Sequence, residues 1–245
     1  MERRMSRYSR QEILTEIGPH GQGMLGDAHV AVIGLGGLGS AAALYLAGAG
    51  IGQLSLVDGD RVELSNLQRQ IVHNEARIGE NKARSAAQQL GALNSSTQIE
   101  VIEQRADDAA LSALASACDV LLDCSDNFPT RHAINRACVS QRTALVSGAA
   151  IRWEGQLMVL QPGRAGAPCY ACVFRGDGEA AESCEQAGVL GPLVGTIGSL
   201  QALETIKLLT GQATSGVLHT FDARTTNWRK WTVPADPACP VCQNH

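Results

Sequence analysis

The sequence lacks an excess of basic residues. Its 245 residues contain 20 lysines and arginines against 24 aspartates and glutamates, so the formal net charge is -4. A protein that binds nucleic acid needs a basic surface to neutralise phosphates. The charge balance therefore argues against a nucleic-acid-binding protein.

The sequence also lacks a long apolar stretch. The longest, residues 41–51, is shorter than the roughly 20 residues that span a bilayer, and the charged N-terminus has no apolar core of a secretory signal. We therefore expect a cytoplasmic protein. Because thiols stay reduced in the cytoplasm, the eight cysteines need an explanation other than disulfides.

The first half of the sequence alternates short apolar runs with amphipathic segments, which is typical of βαβ units. After residue 150 the pattern changes to extended runs around one strong helix, and the Gly-, Pro- and acid-rich residues 162–188 are expected to include a mobile loop. We predict a single α/β domain over 1–245. It has a Rossmann-like mixed sheet, with a parallel N-terminal part, an antiparallel C-terminal part and helices on both faces. The predicted strands are 29–34, 53–58, 98–102, 120–124, 144–147, 155–160, 217–221 and 228–233, and the predicted helices are 40–50, 82–93, 107–117, 129–141 and 195–209.

A glycine motif lies between the first predicted strand and the first predicted helix. Gly34, Gly36 and Gly39 form G-x-G-x-x-G, which lets backbone N–H groups approach phosphates at the positive end of a helix. Asp58 ends the next strand, where a carboxylate can accept hydrogen bonds from ribose hydroxyls. The motif predicts a nucleotide site in residues 1–150 but does not distinguish NAD from ATP. The alternative is a glycine turn that serves packing alone.

Charged and amide residues follow several of the predicted strands. In an open α/β sheet such positions surround one crevice at the carboxyl ends of the strands. Two cations and several carboxylates exceed what a dehydrogenase needs and suit ATP with Mg²⁺, because cations bind phosphate oxygens and carboxylates bind the metal. Each residue alone would be typical of a solvated surface. The set is Asp58, Asp60, Asn66, Arg69, Lys82, Asp126 and Asn127.

Four of the cysteines form two C-x-x-C pairs, at 169–172 and 239–242. This ligand set predicts a four-thiolate zinc site, and four protein ligands leave no open position, so the zinc would be structural. A disulfide or redox role is the alternative. Three other cysteines lie in apolar patterns and are expected to be buried: Cys118, Cys124 and Cys138.

Several motifs in order make the chain resemble the ThiF/MoeB family of ubiquitin-activating-enzyme-like adenylyltransferases over essentially its whole length. The resemblance implies a homodimer that takes ATP and a ubiquitin-like sulfur-carrier protein ending in Gly-Gly, and makes the carrier acyl-adenylate and pyrophosphate. It also implies that residues 151–245 bind the carrier and zinc. The motifs are RYSRQ (7–11), GLGGLG (34–39), SNLQRQ (65–70), DCSDN (123–127), VSGAA (146–150), CYAC (169–172), AGVLGP (187–192) and CPVC (239–242).

The resemblance implies a role for each matching position. Gly36 and Gly37 meet the nucleotide, Asp58 meets the ribose and Asp126 holds Mg²⁺. Arg10 reaches across the dimer to the ATP of the partner. The other residues implied to contact the nucleotide or its phosphates are Asp60, Ser65, Asn66, Arg69, Lys82 and Asn127.

The implied reaction explains why the sequence has no histidine motif. A terminal carboxylate, with a pKa of about 3.5, is already ionised at neutral pH, so no general base is needed. The reaction needs alignment and positive charge where pyrophosphate leaves, which Arg10, Arg69, Lys82 and Mg²⁺ supply. The remote alternatives are an NAD-dependent dehydrogenase and a non-catalytic scaffold that binds a carrier.

The pathway depends on the branch of the family. Residues 146–156 (VSGAAIRWEGQ) favour the molybdopterin branch with a MoaD-type carrier, whereas 42–50 and 156–160 are more similar to the thiamine branch with a ThiS-type carrier. In the thiamine branch the cysteine that matches Cys184 can form an acyl disulfide and would be catalytic. Its acidic surroundings, 179–186, should raise its pKa and argue against an activated thiolate. We interpret the chain as belonging to the molybdopterin branch, with the thiamine branch as the alternative.

Overall fold

An eight-stranded mixed sheet forms the centre of the fold. The computed structural model describes residues 7–164, 166–175 and 187–243. The strands are β1 (His29–Ile33), β2 (Gln53–Val57), β3 (Gln98–Ile102), β4 (Val120–Asp123), β5 (Ala144–Ile151), β6 (Glu154–Leu160), β7 (Val217–Asp222) and β8 (Asn227–Thr232). The helices are α1 (Ser9–Glu12), α2 (Gly18–Asp27), α3 (Gly37–Ala49), α4 (Lys82–Leu93), α5 (Asp108–Ala117), α6 (Phe128–Gln141) and α7 (Gly191–Leu209).

The strand order is β3-β2-β1-β4-β5-β6-β7-β8. The first five strands in this order, from β3 to β5, pair in parallel. The strands β5, β6, β7 and β8 pair antiparallel with their neighbours, so the predicted fold class is confirmed. The chain runs from β1 to β2 on one side and later to β4 on the other, so the order reverses at β1. A crevice opens at such a reversal, beyond the carboxyl ends of the strands.

The sheet is buried on both faces by two apolar clusters. One cluster includes Leu46 of α3, Leu90 of α4 and Ile197 of α7, and the other includes Leu111 of α5 and Ile134 of α6. Because β1 and β4 contribute to both clusters, their sequences are continuous apolar runs rather than alternating ones. Helices cover both faces of the sheet, as predicted. The prediction that Cys118, Cys124 and Cys138 are buried is also confirmed.

Most predicted element bounds agree with the structure to within a few residues, and the differences have local causes. The helix predicted at 40–50 begins at Gly37, because the glycine motif itself forms its first turn. The helix predicted at 195–209 begins at Gly191, where Pro192 fits the first turn, which needs no N–H from it. The strand predicted at 144–147 continues to Ile151, so the division after residue 150 falls inside one strand.

Helix α2 was not predicted from the sequence, because its ten residues include four glycines. Tertiary contact accounts for it. A Cβ on Gly52 would lie 1.9 Å from the carbonyl oxygen of Gly26, so the end of α2 passes close to the backbone that precedes β2. Packing thus outweighs local propensity here.

Cys184 and residues 176–186 of the predicted mobile loop lie outside the described residues. No helix in the described parts of the chain is long and apolar enough to cross a membrane.

Candidate active site

The glycine motif forms the turn between β1 and α3. Gly34 has a φ of +95°, a conformation that glycine adopts without strain. A Cβ on Gly39 would lie 1.9 Å from the carbonyl oxygen of Gly34, and one on Gly37 would lie 2.6 Å from a methyl group of Val194. These close approaches leave no room for a side chain at Gly37 or Gly39. The same turn also presents the N-terminus of α3 to the crevice, where the first N–H groups of a helix have no partner within the helix itself.

A cavity of about 270 Å³ lies in this crevice. It is bounded by the ends of β1, β2 and β4 and by the starts of α3, α4 and α6. The structure thus brings together most of the predicted site residues. Those that line the cavity are Gly36, Gly37, Asp58, Asp60, Arg69, Lys82, Asp126 and Asn127.

Asp58 holds the glycine turn at the end of β2. Its carboxylate accepts hydrogen bonds from the backbone amides of Leu35, at 2.7 Å, and Asp60, at 2.8 Å. Burial raises the pKa of Asp58, against the lowering effects of these two hydrogen bonds and of the Lys82 charge. The side chain is therefore fixed before any ligand arrives.

Lys82 is a buried cation at the first residue of α4. A helix N-terminus disfavours positive charge, so a buried lysine at this position indicates an anionic partner. Its Nζ lies 3.2 Å from Asp60, which also pairs with Arg105 at 3.2 Å. Partial burial raises the pKa of Asp60, but Lys82 and Arg105 outweigh this effect and hold the pKa below its ordinary value. The cavity therefore contains a cation that is already oriented by a carboxylate.

Ser65 and Asn66 are not among the described residues that line the cavity. Asn66 is buried, and its side-chain oxygen accepts a 3.2 Å hydrogen bond from the amide of Glu63. The guanidinium of Arg69 donates to the carbonyl oxygen of Ser65 at 3.2 Å. Both residues therefore support the turn that carries Arg69 to the cavity.

Asp126 and Asn127 lie where β4 passes into α6. The Asn127 oxygen caps α6 by accepting a 2.9 Å hydrogen bond from the amide of Thr130, and its amide group donates to Asp126 at 3.2 Å. Asp126 is exposed at the cavity wall. A carboxylate in this position, opposite two cations, is suited to a divalent ion bound to phosphates.

Sequence reasoning missed Arg131, a buried arginine of α6 that lines the cavity. Its guanidinium donates to the carbonyl oxygens of Ser125 and Gly148, at 2.5 and 2.9 Å, and lies 3.6 Å from the carboxylate of Asp123. The carboxylate is almost fully buried and also accepts from the hydroxyl of Ser147 at 2.9 Å. The sequence does place Asp123 at the end of an apolar strand, and a buried carboxylate needs a cationic partner. It does not indicate which cation that partner is.

His73 was not predicted from the sequence either, and it supports the glycine turn through a hydrogen bond to Leu35. Its Nε2 lies 3.0 Å from the carbonyl oxygen of Leu35, which can only accept, so Nε2 carries the proton. The Nδ1 atom then accepts from the Ser85 hydroxyl at 2.8 Å. Burial lowers the pKa of His73 to about 4, although the hydrogen bond to Leu35 opposes the shift. The imidazole is neutral at pH 7.

Arg10 does not reach the cavity of its own chain. It is an exposed residue of α1, whose neighbour Gln11 donates a 3.0 Å hydrogen bond to the carbonyl oxygen of Ala49. Ala49 is the last residue of α3, whereas the cavity lies at the first. The 13 residues of α3 separate the two ends by about 20 Å.

The two C-x-x-C pairs meet in space. Their sulfur atoms all lie within 4.8 Å of one another, and the measured separations are 3.6 Å for Cys169–Cys239, 3.5 Å for Cys172–Cys242 and 4.0 Å for Cys169–Cys172. Zinc–sulfur bonds of about 2.3 Å in a tetrahedron place the sulfurs about 3.8 Å apart, whereas disulfide sulfurs are about 2.0 Å apart. The four side chains fit a zinc ion and do not form disulfides.

Known proteins are similar to this chain in sequence and in fold. A family model described as the ThiF family matches residues 8–241. The chain is 47% identical over 240 residues to a molybdopterin-synthase adenylyltransferase of Salmonella typhimurium, with 97% of this chain and 96% of that protein covered. It is 46% identical over 242 residues to a sulfur carrier protein ThiS adenylyltransferase of Escherichia coli, with 98% and 96% covered. The crystal structure of E. coli MccB with ATP has the same fold, with a TM-score of 0.83 at 22% identity over 98% of this chain and 75% of that one.

Proposed function

The chain belongs to the ThiF family and is an adenylyltransferase, and we propose that it uses ATP to adenylate the C-terminal Gly-Gly carboxylate of a ubiquitin-like sulfur-carrier protein. The observation that carries the proposal is the cavity beside the glycine turn, where Arg69 and Lys82 meet Asp58 and Asp126. The adenylyltransferase names of the relatives argue against an NAD-dependent dehydrogenase.

The cavity residues divide the work of binding ATP. The N-terminus of α3, with Gly36 and Gly37, faces the phosphates, and Asp58 accepts hydrogen bonds from the ribose. Arg69 and Lys82 bind phosphate oxygens, and Asp126 holds Mg²⁺, which when bound neutralises charge on the phosphates. The other residues that we assign to nucleotide binding are Asp60, Ser65, Asn66 and Asn127, which orient these groups.

The reaction requires no proton transfer from the protein. The ionised carboxylate of the carrier attacks the α-phosphorus, an oxygen–phosphorus bond forms, and the bond to the leaving pyrophosphate breaks. The role of the enzyme is to align the two reactants and to neutralise the charge that develops on pyrophosphate. His73 is a weak base, because its pKa is lowered to about 4 by burial and both of its ring nitrogens are hydrogen-bonded, and the reaction does not need a general base.

A homodimer completes the site in this proposal. Arg10 of one chain binds the ATP of the partner, where it adds positive charge at the leaving group. The position of Arg10 supports this arrangement, because α1 is attached at the end of α3 that is remote from the cavity of its own chain.

We assign a structural zinc ion to Cys169, Cys172, Cys239 and Cys242. The sulfur separations and the four-ligand set support a closed tetrahedral site with no position for substrate. Zinc at this site would tie the segment around residue 170 to the segment that follows β8.

The carrier of the molybdopterin pathway, of MoaD type, is our first candidate, on the strength of residues 146–156. The ThiS-type carrier is the second, since the identities to the two kinds of relative are nearly equal. If the second is correct, Cys184 would form an acyl disulfide with the carrier. Intact-mass analysis after incubation with ATP, carrier and a sulfur donor would then show a carrier adduct that Cys184→Ser abolishes.

The decisive experiment is ATP–pyrophosphate exchange with each purified carrier. We expect exchange that requires the carrier, and none with the same carrier lacking its last glycine. Lys82→Met should abolish the exchange, because it removes a phosphate-binding cation. Arg84→Met is the matched control, since Arg84 is also on α4 but is exposed and pairs with Glu103. Binding of either carrier without any ATP consumption would instead indicate a non-catalytic scaffold.

A further inference from the structure

Helix α6 connects the nucleotide cavity to the four-cysteine centre. It begins directly after the loop that contains Asp126, and two turns later its fully buried Asn135 contacts the turn 169–172. The Asn135 oxygen accepts a 2.8 Å hydrogen bond from the amide of Tyr170, and its Nδ2 lies 3.5 Å from Cys169 Sγ. One helix therefore contacts both sites.

Arg131 lies on the same face of α6, one turn nearer the cavity. Its guanidinium donates to the carbonyl oxygens of Ser125 and Gly148, and its side chain lines one small cavity together with Tyr170. Burial raises the pKa of the Tyr170 hydroxyl to about 12, and the charge of Arg131 and a hydrogen bond with it oppose the rise. Ser125 directly precedes Asp126. These contacts form a continuous path from the turn 169–172 to the loop that carries the assigned Mg²⁺ ligand.

We propose that Tyr170 and Arg131 are positioning residues that couple zinc binding to MgATP binding. The inference rests on the proposed function, because it requires MgATP in the cavity and zinc at the four cysteines. With its two thiolates bound, the turn 169–172 is held in one conformation and fixes Tyr170. Its hydroxyl then fixes Arg131, and Arg131 fixes the backbone at Ser125 that presents Asp126 to the phosphates.

The rigidity of a guanidinium makes this coupling effective. The five N–H donors of Arg131 form a planar fork, so a partner on one side constrains the orientation of the whole group. The Tyr170 ring is held independently, by stacking on Phe174 with centroids 4.7 Å apart and by the edge of His132 at 5.4 Å. Removal of the hydroxyl alone therefore breaks the path while the ring stays in place.

The test compares MgATP and AMP binding by calorimetry for zinc-loaded wild type and Tyr170→Phe. We expect the variant to keep its zinc and its affinity for AMP, while its Kd for MgATP rises about three- to thirtyfold. AMP lacks the β- and γ-phosphates, so its binding does not depend on Asp126. A general structural defect would weaken both nucleotides alike and would overturn the inference.

Coupling between two binding equilibria is reciprocal. A saturating, magnesium-bound, non-hydrolysable ATP analogue should therefore raise the zinc affinity of wild type by about fivefold or more, measured by equilibrium competition with a chromogenic chelator. In Tyr170→Phe this increase should disappear. Cys138→Ala is the matched control, a buried side-chain truncation on α6 that should lower stability but preserve the coupling.

An unchanged MgATP affinity in Tyr170→Phe, or an unchanged zinc response to the analogue, would overturn the coupling and leave the adenylation proposal standing. A wild-type protein that binds no MgATP would overturn both.

Discussion

The backbone amide of Leu35 donates a 2.7 Å hydrogen bond to the carboxylate of Asp58. The carbonyl oxygen of the same residue lies 3.0 Å from Nε2 of His73. Both polar groups of one peptide residue in the glycine turn are thus held by side chains from later parts of the chain. The tertiary structure therefore fixes the turn beside the proposed nucleotide site before any ligand binds.

Replacement of Asp58 by asparagine tests this support. The new amide group can accept only one of the two backbone hydrogen bonds, and its NH₂ faces the other donor. We expect a loss of about 1–3 kcal/mol in the free energy of unfolding and a rise in the Kd for ATP of about tenfold or more. Urea titration and calorimetry measure the two effects. Equal ATP affinity in wild type and variant would remove Asp58 from the ribose-binding role.

Mixing two inactive variants tests the shared site. Arg10→Ala and Lys82→Met should each lose ATP–pyrophosphate exchange, the first by about 10³-fold or more if Arg10 acts as an arginine finger does. In a dimer of one chain of each, one site has both residues and the other has neither. Random re-association should therefore restore about a quarter of the wild-type activity. No recovery despite proven mixed dimers, or full exchange in Arg10→Ala, would contradict the role of Arg10.

The pH dependence of stability tests His73. Its pKa is about 4 in the folded protein against 6.5 as its ordinary value. Below pH 6.5 the unfolded chain binds a proton at His73 that the folded protein does not. The contribution of neutral His73 to the free energy of unfolding is therefore complete above pH 6.5 and is lost as the pH falls to about 4. The loss amounts to about 3 kcal/mol over that range.

His73→Gln serves as the comparison, because glutamine can still donate to Leu35 but does not titrate. Urea unfolding at about pH 7.5 and about pH 5 should show wild type losing about 2 kcal/mol more than the variant. Parallel pH profiles for the two proteins would show that His73 does not titrate with a lowered pKa.

Zinc analysis tests the four-cysteine centre. Protein purified without chelators should contain one zinc per chain, and Cys242→Ser should lower that content and the thermal midpoint of unfolding. Cys118→Ser, a buried cysteine outside the centre, is the control for zinc content. Protein without stoichiometric zinc would contradict the assignment.

The fold could be predicted from sequence because its signals are local. The bounds of α4 and β3 agree with the structure to the residue, since periodicity and flanking turn residues define them. The convergence of the proposed phosphate-binding residues on one cavity could be predicted because parallel strands bring their carboxyl ends to one edge, so position in the strand pattern determines position in space.

The residues that were missed depend on tertiary contacts. Arg131 and His73 carry no motif, and their partners lie 6 to 38 residues away along the chain. Asn66 belongs to a recognised motif, yet its side chain supports a turn rather than lining the cavity. A motif identifies which residues are needed together, but hydrogen bonds in the folded chain decide which of them faces the ligand.

The paired cysteines have a consequence for how the molecule is made. Cys169 and Cys239 are 70 residues apart, as are Cys172 and Cys242, and α7, β7 and β8 lie between them. A chain emerging from the ribosome can assemble β1 to β5 early but cannot offer four thiolates until Cys242 has appeared. If zinc occupies the site as proposed, it is acquired late in biogenesis. Without the metal, the proposed site would leave the segment after β8 untied from the turn 169–172, while the strands themselves remain paired.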